Sequence, residues 1–287
     1  MGLVKQVVRA VVPRAVRNWA RRPTNSARWL WADAKARLGR TDQLELRPGW
    51  VIRSHPGAYP FAYYNQVDDP EQVAEFDQFI RHCTPGMVLF DVGAHFGLYS
   101  LAAVHYGGST ARAVAVDPSP MAARVVRFQA RANGSADRIR VVQASAGAAA
   151  GRQALVAAGI GSVGYYVAPT ADHPPGERVE VECVSIDGLA EATGLAPTHV
   201  KIDVEGFELG VLRGGAKTFG SPRPPLLFLE LHSAIIRDLG GDPRECLALI
   251  AGWGFEVRDV SGKLISADAA LKPPLIRLLA VKPGDDS

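Results

Sequence analysis

The residues that could do chemistry in this chain stand at the ends of short apolar runs. The run MVLFDV (87–92) leads into Asp91-Val92-Gly93-Ala94-His95-Phe96-Gly97. Gly93 lets the backbone turn tightly and approach a ligand closely, and Gly97 opens the next helix with no side chain between helix and sheet. Asp91, read as a strand-tip residue, can accept a hydrogen bond from an ammonium group, directly or through water. The second run ends at Asp117, 24 residues beyond Gly93, followed by Pro118 and Ser119. A carboxylate there is placed to take both hydroxyls of a ribose. The dinucleotide fingerprint Gly-x-Gly-x-x-Gly brings a pyrophosphate onto a helix N-terminus, whereas the spacing here is Asp-x-Gly-x-x-x-Gly, which disfavours NAD.

A second constellation follows two later runs. HVKIDV (199–204) delivers Asp203, Glu205 and, after Gly206, Glu208; LLFLEL (226–231) delivers Glu230 and then His232. Carboxylates and an imidazole at strand ends can take a proton from a bound substrate. If the extended conformation persists to residue 205, alternation puts Asp203 and Glu205 on one side. Asp203 is ranked first as the carboxylate closest to the reacting groups, His232 second as general base, and Glu205 third as an orienting or substrate-binding group. Plainer readings stand beside these: acids favoured at a helix N-terminus for Glu205 and Glu208, a structural carboxylate for Glu230, a loop donor for His232, and an ion pair for Lys201. The spacing of Asp203, Glu205 and Glu208 with His232 does not define a ligand set, so a metal stays undecided.

Taken together, FDVGAHFGLYS (90–100), AVDPSP (115–120), HVKIDVEGFELGVLRG (199–214) and LFLELH (227–232) resemble the FkbM-type methyltransferases, a class I family that uses S-adenosylmethionine. The Lys-Ile-Asp-Val-Glu-Gly-x-Glu block is the most specific part, and the resemblance spans about residues 70–260. It implies that Asp91, Gly93, Ala94, His95 and Gly97 line the methionine part of the cofactor. Asp117, Pro118 and Ser119 then serve the ribose and adenine side, with Ala144 and Ser145 bordering the adenine. The family usually has Asn at the position of His95 and often Glu at that of Asp117; both substitutes still form hydrogen bonds. The implied activity is O-methylation of a hydroxyl on a sugar, glycolipid or secondary metabolite, with a small-molecule or glycan acceptor. Methylation of protein or RNA, and a non-catalytic adaptor that keeps the fold, are the alternatives.

These residues need a scaffold that brings strand ends together. Seven runs read as strands: MVLFDV, ARAVAVD, IRVVQA, HVKIDV, LLFLEL, FEVRDV and LIRLLAV. Helical stretches near 98–106, 120–132, 207–213 and 243–252 separate several of them, which argues for a parallel sheet covered on both faces. The expected fold is α/β, a doubly wound, mostly parallel seven-stranded sheet (Rossmann-like, as in class I methyltransferases), with a basic N-terminal helical arm and a small β insert. Residues 1–45 form the arm and 46–287 the main domain. The insert, about 150–184, contains QALVAA, VGYYVA and RVEVECV. Its Gly159, Gly161, Ser162 and Gly164, flanked by Tyr165 and Tyr166, suit either a flap or a plain hairpin. Ahead of the first sheet run, residues 44–66 suit a small β element. Asp69 and Pro70 suit the start of a helix carrying Val73, Phe76, Phe79 and Ile80 at helical spacing.

Composition limits the rest. A chain of 287 residues, 47% hydrophobic, can bury a full core. Cys83, Cys183 and Cys246 are odd in number and widely spaced, suggesting neither a disulfide framework nor a zinc site and pointing to a cytoplasmic compartment. Ten Lys and Arg fall within residues 1–40 against the single acid Asp33, so the net charge of +3 conceals an acidic body, and no nucleic-acid partner is expected. Tryptophans 19, 29 and 31 interleave with those basic residues, while Pro13 and Pro23 interrupt any continuous helix. Such an arm can rest peripherally on an anionic membrane surface or a partner, or pack on its own domain. No apolar run approaches the ~20 residues that cross a bilayer, and arginines interrupt any signal-peptide core. Oligomeric state is not legible.

Overall fold

The computed structural model describes residues 24–157, 165–166 and 176–284. Helix α1 (Thr24–Arg37) leads into a hairpin of β1 (Asp42–Arg47) and β2 (Trp50–Ser54), the small β element expected around 44–66. A short helix α2 (Tyr59–Tyr63) and a π-helical turn (Tyr64–Asp68) connect to α3 (Pro70–Arg81). Asp69 caps α3, its side chain accepting from the Glu71 amide at 3.1 Å, with Pro70 in the first turn.

The alternating part follows: β3 (Val88–Val92), α4 (Leu98–Tyr106), β4 (Arg112–Val116), α5 (Pro120–Ala132) and β5 (Ile139–Val142). Next comes β6 (Ser145–Ala146), and the insert then supplies β7 (Gly151–Ala157), β8 (Tyr165–Tyr166) and β9 (Glu177–Val184). Then come α6 (Ile186–Thr193), β10 (His199–Ile202), α7 (Glu208–Arg213), α8 (Ala216–Phe219), β11 (Leu226–Leu231) and α9 (Ser233–Asp238). The chain closes with α10 (Arg244–Gly252), β12 (Glu256–Asp259), α11 (Ala267–Ala270) and β13 (Ile276–Val281).

All seven expected runs join one sheet in the order β12-β13-β11-β10-β3-β4-β5. The pairings from β11 through β10, β3 and β4 to β5 are parallel, and β13 runs antiparallel to both β11 and β12. This is the doubly wound α/β architecture. Helices cover both faces, and period-two alternation divides each strand between two cores. On β3, Leu89 belongs to the core that holds Phe76, Phe79 and Phe228, while the next residue, Phe90, belongs to the core that holds Ile202, Leu212 and Phe255. The strands β6, β7, β8 and β9 form a separate four-stranded sheet. The glycine-rich stretch 159–164, read as a flap or hairpin, lies outside the described residues.

From β3 the chain winds outward through β4 to β5, then returns to place β10 on the other side of β3. The order reverses there, and the crevice beyond the carboxyl ends of β3 and β10 is the ligand position this topology creates. The packed domain reaches back into the basic arm. Trp29 is buried, its ring 5.9 Å from that of His55 and 5.8 Å from that of Phe96. Asp33 meets Arg124 at 3.3 Å. Leu30 and Trp31 are exposed on the same helix, with Lys35 over the Trp31 ring. Among the described residues no helix is long and apolar enough to cross a membrane.

Candidate active site

A cavity of about 310 Å³ opens at this crevice. Gly93, His95, Asp117, Pro118, Ala144 and Ser145 line it, together with Asp203, Glu205 and His232. Nine of the sequence-derived site residues therefore share one cavity. Asp91, Ala94, Gly97 and Ser119 do not line it, and each is held in the surrounding framework.

Asp91 is the clearest departure from expectation. It lies within β3 rather than beyond its tip, so its side chain turns onto the sheet face under α4. There Oδ2 accepts from the Ser100 amide at 3.0 Å and the Ser100 hydroxyl at 2.6 Å. Burial raises the Asp91 pKa, with Ser100 opposing. Ala94 belongs to the core, Gly97 starts α4 with φ +73° against Val126, and Ser119 caps α5 through its hydroxyl.

Asp117 sits one residue past β4, buried at the cavity edge. Its Oδ2 accepts from the His95 amide at 2.9 Å and its Oδ1 from the Ser119 amide at 2.8 Å. Each carboxylate oxygen keeps a second lone pair, so two hydroxyls can still be held. Burial pushes this carboxyl up to about 7, although both amide hydrogen bonds pull it down. His95 adopts φ +48°, a left-handed conformation more accessible to His and Asn than to most residues. Its ring stacks on Phe96 with centroids 3.8 Å apart. Burial lowers its pKa to about 4, and Glu205 opposes, so the imidazole is neutral at neutral pH.

In the same cavity, side-chain atoms of Asp203, Glu205 and His232 converge. The extended conformation ends at Ile202, and Glu205 takes φ +52°, so Asp203 and Glu205 meet through a turn and not through strand alternation. His232 Nε2 lies 3.4 Å from Glu205 Oε2 and 3.9 Å from Asp203 Oδ1. On its other side, His232 Nδ1 is 2.7 Å from Oε1 of the fully buried Glu208, which also accepts from the Gly206 amide at 3.0 Å. A carboxylate acceptor there makes Nδ1 the donor and turns Nε2 toward the cavity. Burial alone would lower the His232 pKa, but the Glu208 hydrogen bond and charge, followed by Glu205 and Asp203, carry it up to about 10. Burial, then the charge of Glu230, raises Asp203 well above the usual carboxylate range.

Beneath this cluster lies an ion-pair network. Lys201 Nζ is 2.8 Å from Glu230 and 3.0 Å from Glu75, and Arg277 reaches the same acids at 3.2 and 2.9 Å. Burial would raise Glu230, yet Lys201 and Arg277 hold it down at about 2; burial and Glu230 together push Glu75 up to about 7. Lys201 and Glu230 thus have the structural ion pair and buried carboxylate that their sequence context suggested. Glu75 and Arg277 were not singled out, although Arg277 and Glu230 also line the cavity. For Arg277 the available signal was a lone charge inside the apolar run LIRLLAV, matched by Glu230 in LLFLEL; Glu75, on a helix, carried no such signal.

The family described as "Methyltransferase FkbM domain" matches residues 91–257. The "31-O-demethyl-FK506 methyltransferase FkbM" of Streptomyces tacrolimicus is 31% identical over 209 residues, covering 62% of this chain and 77% of its own length. A solved methyltransferase FkbM from Methylobacillus flagellatus KT is 16% identical with a TM-score of 0.43; the match covers 87% of this chain and 57% of that one. An O-methyltransferase from Bacillus cereus, solved in complex with SAH, is 13% identical with a TM-score of 0.42, covering 97% and 96%.

Proposed function

Because this chain belongs to the FkbM methyltransferase family, we propose that its crevice binds S-adenosylmethionine and transfers the methyl group to a hydroxyl of a sugar, glycolipid or secondary metabolite. The observation that carries the reading is one cavity lined both by a carboxylate suited to a ribose, Asp117, and by a proton-accepting cluster, Asp203 with Glu205 and His232. The 31-O in the name of the Streptomyces relative supports oxygen as the methylated atom.

The residues present fit this cofactor. Asp117 offers one open acceptor position on each oxygen, Pro118, Ala144 and Ser145 border the adenine side, and Gly93 keeps the crevice floor free of a side chain. S-adenosylmethionine supplies, when bound, a methyl group on a positively charged sulfur. The protein must align an acceptor oxygen with that methyl, exclude water and remove the hydroxyl proton. Asp203 takes the proton, because it lies at the crevice floor beside Gly93; its raised proton affinity supports the role. His232, tied down by Glu208, orients the carboxylates of Asp203 and Glu205.

Calorimetric titration with S-adenosylmethionine and S-adenosylhomocysteine tests the reading. Binding at the micromolar scale, about −8 kcal/mol, is expected for the wild type and is expected to be lost in Asp117→Ala. Absence of binding to either compound would overturn it.

A further inference from the structure

We infer that Asp203, Glu205 and His232 form a divalent-cation site on the wall of the crevice, and that the cation presents an acceptor through two adjacent oxygens. The statement about the acceptor rests on the methyl-transfer reading; the cation site rests on the arrangement of the three side chains alone.

One ligand atom from each of the three residues lies within 4.8 Å of the others. Two ligands each about 2.1 Å from a shared cation stand about 3.0 Å apart at a right angle and about 3.4 Å apart at a tetrahedral angle. His232 Nε2 and Glu205 Oε2, at 3.4 Å, stand within about 0.4 Å of the right-angle separation of an octahedral site, and Asp203 Oδ1, 3.9 Å from Nε2, has to close by about 0.9 Å.

The histidine is the independent sign. His232 is only 6% exposed, yet its Nε2 faces the cavity, where among the described residues its nearest charged neighbours are the ligand candidates Glu205 at 3.4 Å and Asp203 at 3.9 Å. Its Nδ1 is fixed by Glu208, a carboxylate with no solvent exposure. A buried carboxylate on the far nitrogen of an imidazole is the usual support of a metal-binding histidine, because it fixes tautomer and ring orientation and raises ligand basicity. The neighbouring charges are committed elsewhere: Glu230 to Lys201 and Arg277, Glu208 to His232. The two carboxylates balance a charge of 2+, the cation displacing the proton from Nε2 as it binds, and a mixed nitrogen and oxygen set suits Mn²⁺ and its neighbours better than a thiophilic ion.

The open side of the site gives the acceptor class. The side chains of Asp203 and Glu205 are 35% and 46% exposed, while His232 closes the back. Coordination positions left free therefore face the cavity, where a vicinal diol of a sugar or a hydroxyl beside a carbonyl can fill two of them.

The test uses the full chain, stripped with EDTA and dialysed, titrated with MnCl₂ while free Mn²⁺ is read by electron paramagnetic resonance. S-adenosylhomocysteine binding to the stripped protein is measured in parallel by calorimetry. About one Mn²⁺ per chain is expected, weakened about tenfold or more in Asp203→Asn and His232→Ala and about tenfold in Glu208→Gln, as for other supporting carboxylates. Glu205→Gln, at the most exposed of the three positions, provides a variant that keeps the fold, checked by its melting curve. Wild-type protein that binds S-adenosylhomocysteine but no Mn²⁺ overturns the cation site and leaves the methyl-transfer reading standing. Mn²⁺ binding without S-adenosylhomocysteine binding supports the site and removes that reading. Equal Mn²⁺ affinity in wild type and in a folded Glu205→Gln protein overturns the ligand assignment.

Discussion

The carbonyl oxygen of Asp203 occupies the space where a side chain at Gly93 would begin. The two residues directly follow neighbouring parallel strands, and Gly93 also holds φ +83°, which other residues adopt only under strain. Gly93→Ala therefore has to push the ends of β3 and β10 apart at the crevice floor. The expected outcome is a loss of about 1–3 kcal/mol in stability together with at least a tenfold weaker affinity for S-adenosylhomocysteine, on the order of 1.4 kcal/mol. Urea unfolding and calorimetry read the two effects; affinity within twofold of wild type would refute the close-approach argument.

Asp117 makes cofactor binding depend on pH. Its folded pKa of about 7 stands above the ordinary value of 3.8, so its contribution to stability is complete below 3.8 and is lost as pH rises through about 7. Binding runs the other way, since ribose hydroxyls donate best to the ionised carboxylate. Affinity for S-adenosylhomocysteine should rise between about pH 5.5 and about pH 8.5, and Asp117→Asn should remove most of that rise. A wild-type profile that is flat across this range would show that Asp117 is ionised throughout or does not hold the ribose.

Trp29 ties the basic arm to the wall of the site, stacking beside Phe96 and so behind His95. Trp29→Ala leaves a void between α1 and that wall. The expected cost is about 3 kcal/mol by denaturant unfolding. A change below about 0.5 kcal/mol would place Trp29 outside the cooperative unit.

Lys201 is enclosed with two acids within 3.0 Å. Lys201→Met removes the cation and leaves Glu75 and Glu230 to share Arg277. Breaking a buried pair from one side costs about 3–5 kcal/mol, a drop that urea unfolding at neutral pH should register. Wild-type stability in this variant would mean that one of the acids takes up a proton at little cost.

Much of this scaffold was legible because its signals are local. Each of the seven strands is an apolar run bounded by turn or cap residues, and Asp69-Pro70 marks a helix start that needs no distant partner, whereas Ser119, read as a cofactor-side residue, turned out to cap a helix. The approach of Asp117 and Gly93 to one crevice also followed from order alone, since consecutive parallel strands with a crossover helix bring their carboxyl ends together.

The sequence by itself determined the strands, the helix caps, the family and the end of the sheet at which chemistry occurs. Only the tertiary structure decided which side chains face the cavity and which partners they hold. Asp91 turned under α4 to Ser100 because it lies one residue short of the strand end, a boundary the apolar pattern does not locate. Asp203 and Glu205 converged because the chain left the extended conformation at Ile202, where period-two reasoning no longer applies. Glu208 met His232 across 24 residues, and Glu75 met Arg277 across more than 200, because α3, β10, β11 and β13 pack side by side. Hydrophobic periodicity records which face of an element is buried, whereas the partner of a buried charge is set by which elements become neighbours when the sheet closes.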